Sequence, residues 1–277
     1  MFKASEVVDS ADAAHVPVGG ASGVQTLDRA VLLLNTLASS GPGGLTKLTE
    51  RSGLSKPTVA RLLTSLRDLG LVEQDVATRR YRLGMSIFVL GSAAARTSAV
   101  RQCALPVLRQ LAASSGQTTY IWVPHDDQAL CVERVNGSSP LHQLKTLPGE
   151  FLPFHAGAAG RILLAWQGEE RITELLARGL RPLTEKTCID SAALIEELAT
   201  VRLQGYAITE DDVTVGSCAV GAPVQDSDGQ VIAALSVGIF DRSSDAGRDL
   251  SGTAQRVRLA AEQVAQSLSF ATFSGGV

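Results

Sequence analysis

The sequence lacks a cysteine framework. Its 277 residues include only four cysteines, Cys103, Cys131, Cys188 and Cys218, and no two of them form a CxxC pair. A disulfide-stapled secreted domain and a zinc ribbon both need cysteines paired at short spacing, so both classes are excluded. The four histidines do not complete a two-plus-two zinc pattern either. The sequence therefore predicts no metal site, and no motif in it indicates a cofactor.

Aromatic residues and long apolar runs are also scarce. Aromatics make up 4% of the chain, and apolar runs such as Ala30–Leu34 are far shorter than the roughly 20 residues that span a bilayer. Residues 1–23 carry three acids and no apolar stretch, so no secretory signal is expected. Hydrophobic residues nevertheless reach 45%, which excludes a disordered chain. We expect a cytoplasmic protein of about two domains, without a membrane partner.

Positive charge is concentrated in residues 24–84. Residues 24–84 hold nine Lys or Arg against five Asp or Glu, a net charge of +4, whereas residues 85–277 carry −5 and the whole chain −3. A basic module on an acidic body favours contact between the module and a polyanion.

Three helices and a hairpin are predicted within residues 23–84, after a mobile tail over 1–22. Apolar residues recur at helical spacing from Gln25 and stop at the Gly/Pro segment 41–44. A second helix is predicted from an N-cap at Thr46 to Gly53. The third runs over 56–69, with Ser55 as N-cap, Pro57 in its first turn and Gly70 after its end.

Two short strands follow, over 71–74 and 81–83, joined by the polar turn 75–80. Helix, helix–turn–helix and basic hairpin together predict a winged helix-turn-helix. Its third helix presents polar side chains away from its apolar face, as a recognition helix must, with Arg61 able to reach guanine in the major groove. The predicted DNA contacts are Thr46, Ser55, Lys56, Pro57, Thr58, Arg61, Ser65, Arg79 and Arg80.

The rest of the chain predicts a linker helix over 85–99, an α+β body over 100–270 and a tail over 271–277. Strands of a mostly antiparallel sheet are expected over 118–124, 129–135, 141–147, 206–209, 218–225 and 231–240. Helices are expected over 99–114, 157–166, 169–178, 191–204 and 250–268.

Several motifs in this order resemble the IclR family of bacterial transcription regulators. They are Gly53–Leu63 with Tyr81–Gly84 in the basic module, and Leu152–Ala156, Gly205–Ala207 and Gly221–Val224 in the body. The resemblance covers about residues 23–270. It implies a winged helix-turn-helix joined by a linker helix to an effector-binding domain with a GAF-like or profilin-like sheet. It also implies dimers or tetramers on palindromic double-stranded operators, and a small organic acid or aromatic metabolite as effector.

A run of small residues, 156–160, opens one of the predicted helices. Small residues at a strand-to-helix junction let a ligand approach the backbone, and free N–H groups at a helix start favour an anion. The resemblance implies that the amides of Gly157, Ala158 and Ala159 hold the effector. The alternative is a close helix–sheet contact that needs no ligand.

The body departs from relatives that bind very short acids. By ungapped matching, Thr209 stands where they have an aspartate, Ala219 where they have a cysteine, and Gly238 replaces the second of two late serines, of which Ser236 remains. We therefore expect a larger effector, such as an aromatic acid, with Tyr120 and Trp122 either as an apolar wall or as simple sheet packing. The candidate effector residues are Tyr120, Trp122, Leu144, Gly157, Ala158, Ala159, Thr209, Ala219, Ser236 and Gly238.

Two other functional classes stay open at this point. One is an enzyme acting on a small acid with a DNA-binding appendage, although no catalytic motif is found. The other is a protein-binding module. Residues 210–212 are expected to form a solvated acidic loop rather than a cation site. The favoured prediction is a ligand-responsive repressor of a catabolic operon, working as a homodimer or homotetramer.

Overall fold

The computed structural model describes residues 24–138, 146–240 and 250–274. The predicted tail 1–22, Leu144 and residues 275–277 of the predicted C-terminal tail lie outside these residues, as does most of the predicted strand over 141–147. The chain divides into two compact units, with the boundary between Arg96 and Thr97. None of the described helices is both long and apolar enough to cross a membrane.

The N-terminal unit is the predicted winged helix-turn-helix. Its elements are α1 Gln25–Ser40, α2 Leu45–Ser52, α3 Lys56–Asp68, β1 Val72–Gln74, β2 Tyr81–Leu83 and α4 Met85–Thr97. The two strands pair antiparallel. Helices α1 to α3 and strand β1 enclose one core of buried aliphatic side chains: Leu33, Leu37, Leu48, Val59, Leu62, Leu63, Leu66 and Val72.

Helix ends in this unit follow the glycines, as predicted. Gly53 and Gly70 both adopt positive φ, at 66° and 70°, and the Leu71 N–H closes the end of α3 by donating to Leu66 O at 2.9 Å. The prediction of Thr46 as an N-cap is wrong. Helix α2 begins at Leu45 with extended Gly44 as its cap, because Leu45 packs against the core; Thr46 lies exposed within the first turn.

The C-terminal unit is an antiparallel sheet with helices on both faces. Its helices are α5 Ala99–Ser115, α6 Gly157–Ala165, α7 Glu169–Ala177, α8 Ser191–Gln204 and α9 Leu250–Ser274. Its strands are β3 Thr118–His125, β4 Gln128–Val135, β5 Phe151–Pro153, β6 Ala207–Glu210, β7 Ser217–Gln225 and β8 Val231–Phe240. The strand order is β5-β4-β3-β8-β7-β6, with β3 and β8 at the centre.

Strict alternation along the central strands gives the sheet two separate apolar faces. Ile121, Val220, Leu235 and Val237 point to one face and pack with α5 and α9. Tyr120, Trp122 and Ala234 point to the other, where α6 covers the sheet and α8 packs against α6. The α+β class is therefore confirmed, and the face under α6 is the one that carries the candidate residues.

Candidate functional site

Helix α3 exposes a polar face at its N-terminal half. Val59, Leu62, Leu63 and Leu66 are buried, which leaves the opposite side to solvent. The exposed side chains along α3 are Lys56, Pro57, Arg61, Thr64, Ser65, Arg67 and Asp68. Thr64 was missed by sequence reasoning, although helical spacing from Arg61 places it on the same face.

The start of α3 is held by a side-chain pair. Ser55 is the N-cap residue, as predicted, but its hydroxyl lies 2.8 Å from the Thr58 hydroxyl instead of capping a backbone amide. This hydrogen bond ties Thr58 to the loop before the helix. Both hydroxyls keep lone pairs or protons for a further partner at a helix N-terminus, where phosphate oxygens bind well.

Two carboxylates form the polar contacts that hold the hairpin together. Arg82 pairs with Glu73 at 2.9 Å, and Asp75 accepts the Thr78 N–H at 2.7 Å. Hydrogen bonding by Arg82 lowers the pKa of Glu73, and hydrogen bonding by Thr78 lowers the pKa of Asp75, so both carboxylates are charged at neutral pH.

The two wing arginines that were predicted as equivalent differ. Arg80 donates from Nη2 to Pro42 O at 2.6 Å and thus anchors the hairpin to the loop between α1 and α2. Arg79 lies at positive φ, 57°, and within the described structure its guanidinium makes no hydrogen bond or ion pair. Both arginines stay predicted DNA contacts, with Arg79 as the free cation and Arg80 also serving as an anchor of the hairpin.

Six candidate effector residues lie together on the α6 face of the sheet. The strand register places Tyr120 opposite Ser236, and it aligns Thr209, Ala219 and Gly238 in one row across three strands. Trp122 lies two residues from Tyr120 on the same strand face. The sheet therefore forms a floor of small residues beside an aromatic pair.

The aromatic pair is fixed in place by polar contacts. Trp122 Nε1 donates to Ser236 Oγ at 2.9 Å, and the Tyr120 and Trp122 ring centroids are 5.7 Å apart. Arg134 lies over the Tyr120 ring, with Cζ 5.8 Å from the centroid. The Tyr120 hydroxyl is buried, and no described residue offers it a hydrogen-bond partner. Burial raises the pKa of Tyr120 to about 12.

Helix α6 starts directly above this floor. A Cβ built on Gly221 would lie 3.1 Å from the carbonyl carbon of Ala158, so the helix start approaches β7 closely. Within the described residues, the Ala158 and Ala159 N–H groups have no acceptor, as expected for the first turn of a helix. These two amides are available to an anion.

The third predicted amide, that of Gly157, is already occupied. Asp212 Oδ2 accepts the Gly157 N–H at 2.7 Å, and Arg161 Nη2 lies 3.6 Å from the same oxygen. Arg161 Nε also pairs with Glu197 Oε1 at 2.9 Å. The prediction of a solvated loop over 210–212 is thus wrong at Asp212, whose exposure is 4%. Burial raises the pKa of this carboxyl, against the opposing effect of Arg161.

Sequence reasoning also missed Arg161. A charged residue in the otherwise apolar helix Gly157–Ala165 was the available signal, since a buried cation requires a buried anion. Among the described residues, no three histidine, cysteine or acidic side chains come together as metal ligands.

Two families of known sequences match the chain. Residues 26–76 match the family described as IclR helix-turn-helix domain, and residues 92–266 match the one described as bacterial transcriptional regulator IclR C-terminal.

Individual proteins match over most of the chain. The acetate operon repressor of Salmonella typhimurium is 31% identical over 258 residues, covering 90% of this chain and 93% of the repressor. An IclR transcriptional regulator from Alicyclobacillus acidocaldarius superposes with a TM-score of 0.80 at 27% identity, covering 88% of this chain and 99% of that one. An IclR homolog from Microbacterium hydrocarbonoxydans, solved with 4-hydroxybenzoate, gives a TM-score of 0.75 at 27% identity, covering 88% and 98%.

Proposed function

Because the chain belongs to the IclR family of bacterial transcription regulators, we propose that it is a ligand-responsive repressor of a catabolic operon. In this proposal the protein binds a palindromic operator, and a small organic acid either weakens or strengthens that binding. The named relatives are regulators and repressors, and none of them supports the alternative of an enzyme. As a transcription regulator, the protein acts through two kinds of contact, one with DNA and one with an effector.

The polar face of α3 carries the DNA proposal. Arg61 reads a guanine edge in the major groove, with Ser65 and Thr58 beside it. Ser55, Lys56 and the helix start contact phosphates, and Arg79 at the wing tip contacts the flanking backbone. A palindromic operator has two half-sites and therefore requires two copies of the DNA-binding unit. The centres of the half-sites should lie roughly 34 Å apart, which is one helical turn, or a multiple of that distance.

Exposed apolar side chains support a homodimer. Met85, Phe88, Val89 and Leu90 of α4 are 58–69% exposed, and Leu27 of α1 is 59% exposed. Contiguous exposed apolar residues mark protein interfaces, and a twofold operator supplies the reason for a second copy as the partner. Pairing through α1 and α4 would place two recognition helices in one particle.

The free amides of α6 above the aromatic floor carry the effector proposal. Ala158 and Ala159 suit a carboxylate, whereas Ala219 and Gly238 leave room and Trp122 offers an apolar wall. An aromatic acid fits this arrangement better than a very short acid does. The relative solved with 4-hydroxybenzoate shows that an IclR homolog accommodates a ligand of this class.

Regulation then follows from differential binding. An effector changes the population of oligomer arrangements only if it binds one of them more tightly than another. We infer that occupancy of the α6 site favours an arrangement with altered affinity for the operator.

Gel shift with the DNA upstream of the protein's own coding region, at two salt concentrations, tests the proposal. The expected result is a discrete shift that survives competitor DNA, weakens steeply with salt and changes when an aromatic acid is added. A protein that binds no upstream DNA, with or without acids, would contradict the proposal. Capture of a partner protein, together with no salt-sensitive binding of this protein to DNA, would favour the alternative of a protein-binding module.

A further inference from the structure

We propose that the Tyr120 hydroxyl recognises the end of the effector opposite its carboxylate, so that the effector is an aromatic acid with a hydrogen-bond acceptor at the far end of its ring. This inference rests on the proposed effector site. It assigns a specificity-determining role to a residue whose side chain would otherwise count as apolar wall.

The hydroxyl is a polar group left without a partner. Tyr120 is 4% exposed, and no described residue accepts from or donates to its Oη atom. A buried hydroxyl without a hydrogen bond is costly to the fold, because it has lost water and gained nothing in return. A ligand that forms a hydrogen bond with this hydroxyl would explain why the hydroxyl is buried without a partner in the protein.

Its neighbours hold the ring but do not use the hydroxyl. Arg134 lies over the ring face and is itself fixed, through Nε to Asn136 Oδ1 at 2.9 Å and through Nη1 to Thr146 O at 3.0 Å. Ser236, directly opposite on β8, accepts from the Trp122 indole at 2.9 Å. Tyr120 is therefore positioned, while its hydroxyl stays available.

The register gives the spacing between the two ends of the site. Gly221, Ser236 and Tyr120 are directly paired across β7, β8 and β3, so Gly221 and Tyr120 are about 10 Å apart, two strand spacings. Ala158 lies directly over Gly221. The free amides thus lie over β7, and Tyr120 lies two strands away on the same face of the sheet, a separation that one aromatic ring with a substituent at each end can bridge.

The protonation state of the phenol decides what it binds. With its pKa raised to about 12, Tyr120 is neutral at physiological pH and donates a proton to an acceptor. A ring hydroxyl or carbonyl oxygen opposite the carboxylate satisfies it, whereas an unsubstituted ring leaves it unpaired.

Calorimetric titration of the full chain with 4-hydroxybenzoate and with benzoate tests this role in the unmodified protein and in Tyr120→Phe. We expect the unmodified protein to bind 4-hydroxybenzoate about 2- to 12-fold more tightly than benzoate, which is the contribution of one neutral hydrogen bond. Tyr120→Phe should lose this preference and bind benzoate within about twofold of the unmodified protein. Tyr206→Phe, which removes a hydroxyl from a residue packed with the core of the opposite face, should keep the preference.

Three results would overturn the inference. Equal affinity of the unmodified protein for both acids, or an undiminished preference in Tyr120→Phe, would contradict the role of the hydroxyl while leaving an aromatic acid site intact. Failure of both acids to bind any of the three proteins would contradict the aromatic effector itself, and with it the role of Tyr120. A melting curve of each variant confirms that the compared proteins are folded.

Discussion

Asp212 Oδ2 accepts the hydrogen bond of the Gly157 N–H at 2.7 Å, linking the loop after β6 to the first residue of α6. The same carboxylate faces the buried Arg161 guanidinium, which also pairs with Glu197 of α8. The Asp212 side chain therefore ties the loop after β6 to the start of α6, and Arg161 in turn ties α6 to α8.

Removal of that carboxylate should destabilise the C-terminal unit strongly. Asp212→Ala removes one of the two acidic partners of the buried Arg161 and leaves only Glu197 of the two, and we expect a loss of up to about 3–5 kcal/mol in unfolding free energy. Asp212→Asn should lose less, because the amide oxygen still accepts the Gly157 N–H. Both tryptophans of the chain, Trp122 and Trp166, lie in this unit, so urea unfolding followed by their fluorescence reports on it alone. Equal stability of the alanine variant and the unmodified protein would contradict this account.

Arg61→Ala should weaken operator binding by about 1–3 kcal/mol and relax the preference at one base pair. Arg67→Ala is the matched control, since it removes the same charge from the last turn of the same helix. Binding to a set of operators with single base changes, measured at fixed salt, separates the two variants. A base preference that Arg61→Ala leaves intact would rule out base reading by this residue.

The two wing arginines should give different phenotypes. Arg79→Ala should weaken binding to all DNA sequences alike and reduce the slope of log K against log salt by about 0.9, as one lost phosphate contact does. Arg80→Ala should instead loosen the hairpin, because it removes the hydrogen bond to Pro42 O. Hydrogen exchange of the amides over 72–83 measures that loosening. Identical salt slopes for Arg79→Ala and the unmodified protein would exclude the phosphate contact.

Tyr120→Phe should stabilise the ligand-free protein at neutral pH, by up to about 1 kcal/mol, because it removes an unpaired buried hydroxyl. The difference should depend on pH in a defined direction. Since the pKa of Tyr120 is raised from 10.0 to about 12 in the folded state, the phenol adds no pH dependence to stability below pH 10. Between pH 10 and 12 its ionisation in the unfolded state lowers the stability of the unmodified protein. The unmodified protein should therefore lose more stability than the variant between pH 10 and 12. Parallel pH profiles in tryptophan-monitored unfolding would contradict the buried phenol.

Gly160→Ala should be severely destabilising, whereas Gly168→Ala should cost less than about 1 kcal/mol. A Cβ on Gly160 would lie 2.7 Å from Phe154 O and 2.8 Å from Pro153 O, distances that force the backbone before α6 to shift. Among the described residues other than its chain neighbours, none has an atom within 4 Å of a Cβ built on Gly168. Thermal melting of both variants makes the comparison, and equal melting temperatures would show that this close approach is unimportant.

Local patterns predicted most of the secondary structure. Helix α8 begins and ends as predicted, because Asp190 caps Ala193 N at 2.8 Å and Gly205 terminates it at a φ of 73°. Strand β8 also has its predicted bounds, because ten residues are enough for the alternation of side chains between the two faces to be recognised in the sequence. Strand β5, Phe151–Pro153, was not predicted, because three residues carry no periodicity and its place depends on pairing with β4.

Side-chain partners could not be predicted in the same way. Arg79 and Arg80 are adjacent and chemically identical, and only the position of Pro42, 38 residues away from Arg80 in sequence, distinguishes them. Asp212 stands in an acidic stretch typical of a solvated loop, and it is buried because Arg161 and the α6 start are brought to it by the fold. In both cases a long-range contact overrides the local pattern.

Alternate residues of the central strands point to opposite faces of the sheet, so substitutions at neighbouring positions have different effects. Along β8, Ser236 and Gly238 belong to the candidate ligand floor, while Leu235 and Val237 belong to the opposite core. We expect substitutions at Ser236 and Gly238 to change which molecule is bound, and substitutions at Leu235 and Val237 to destabilise the domain. A lineage can therefore acquire a response to a new metabolite through single-residue steps without rebuilding the scaffold that reports it to DNA.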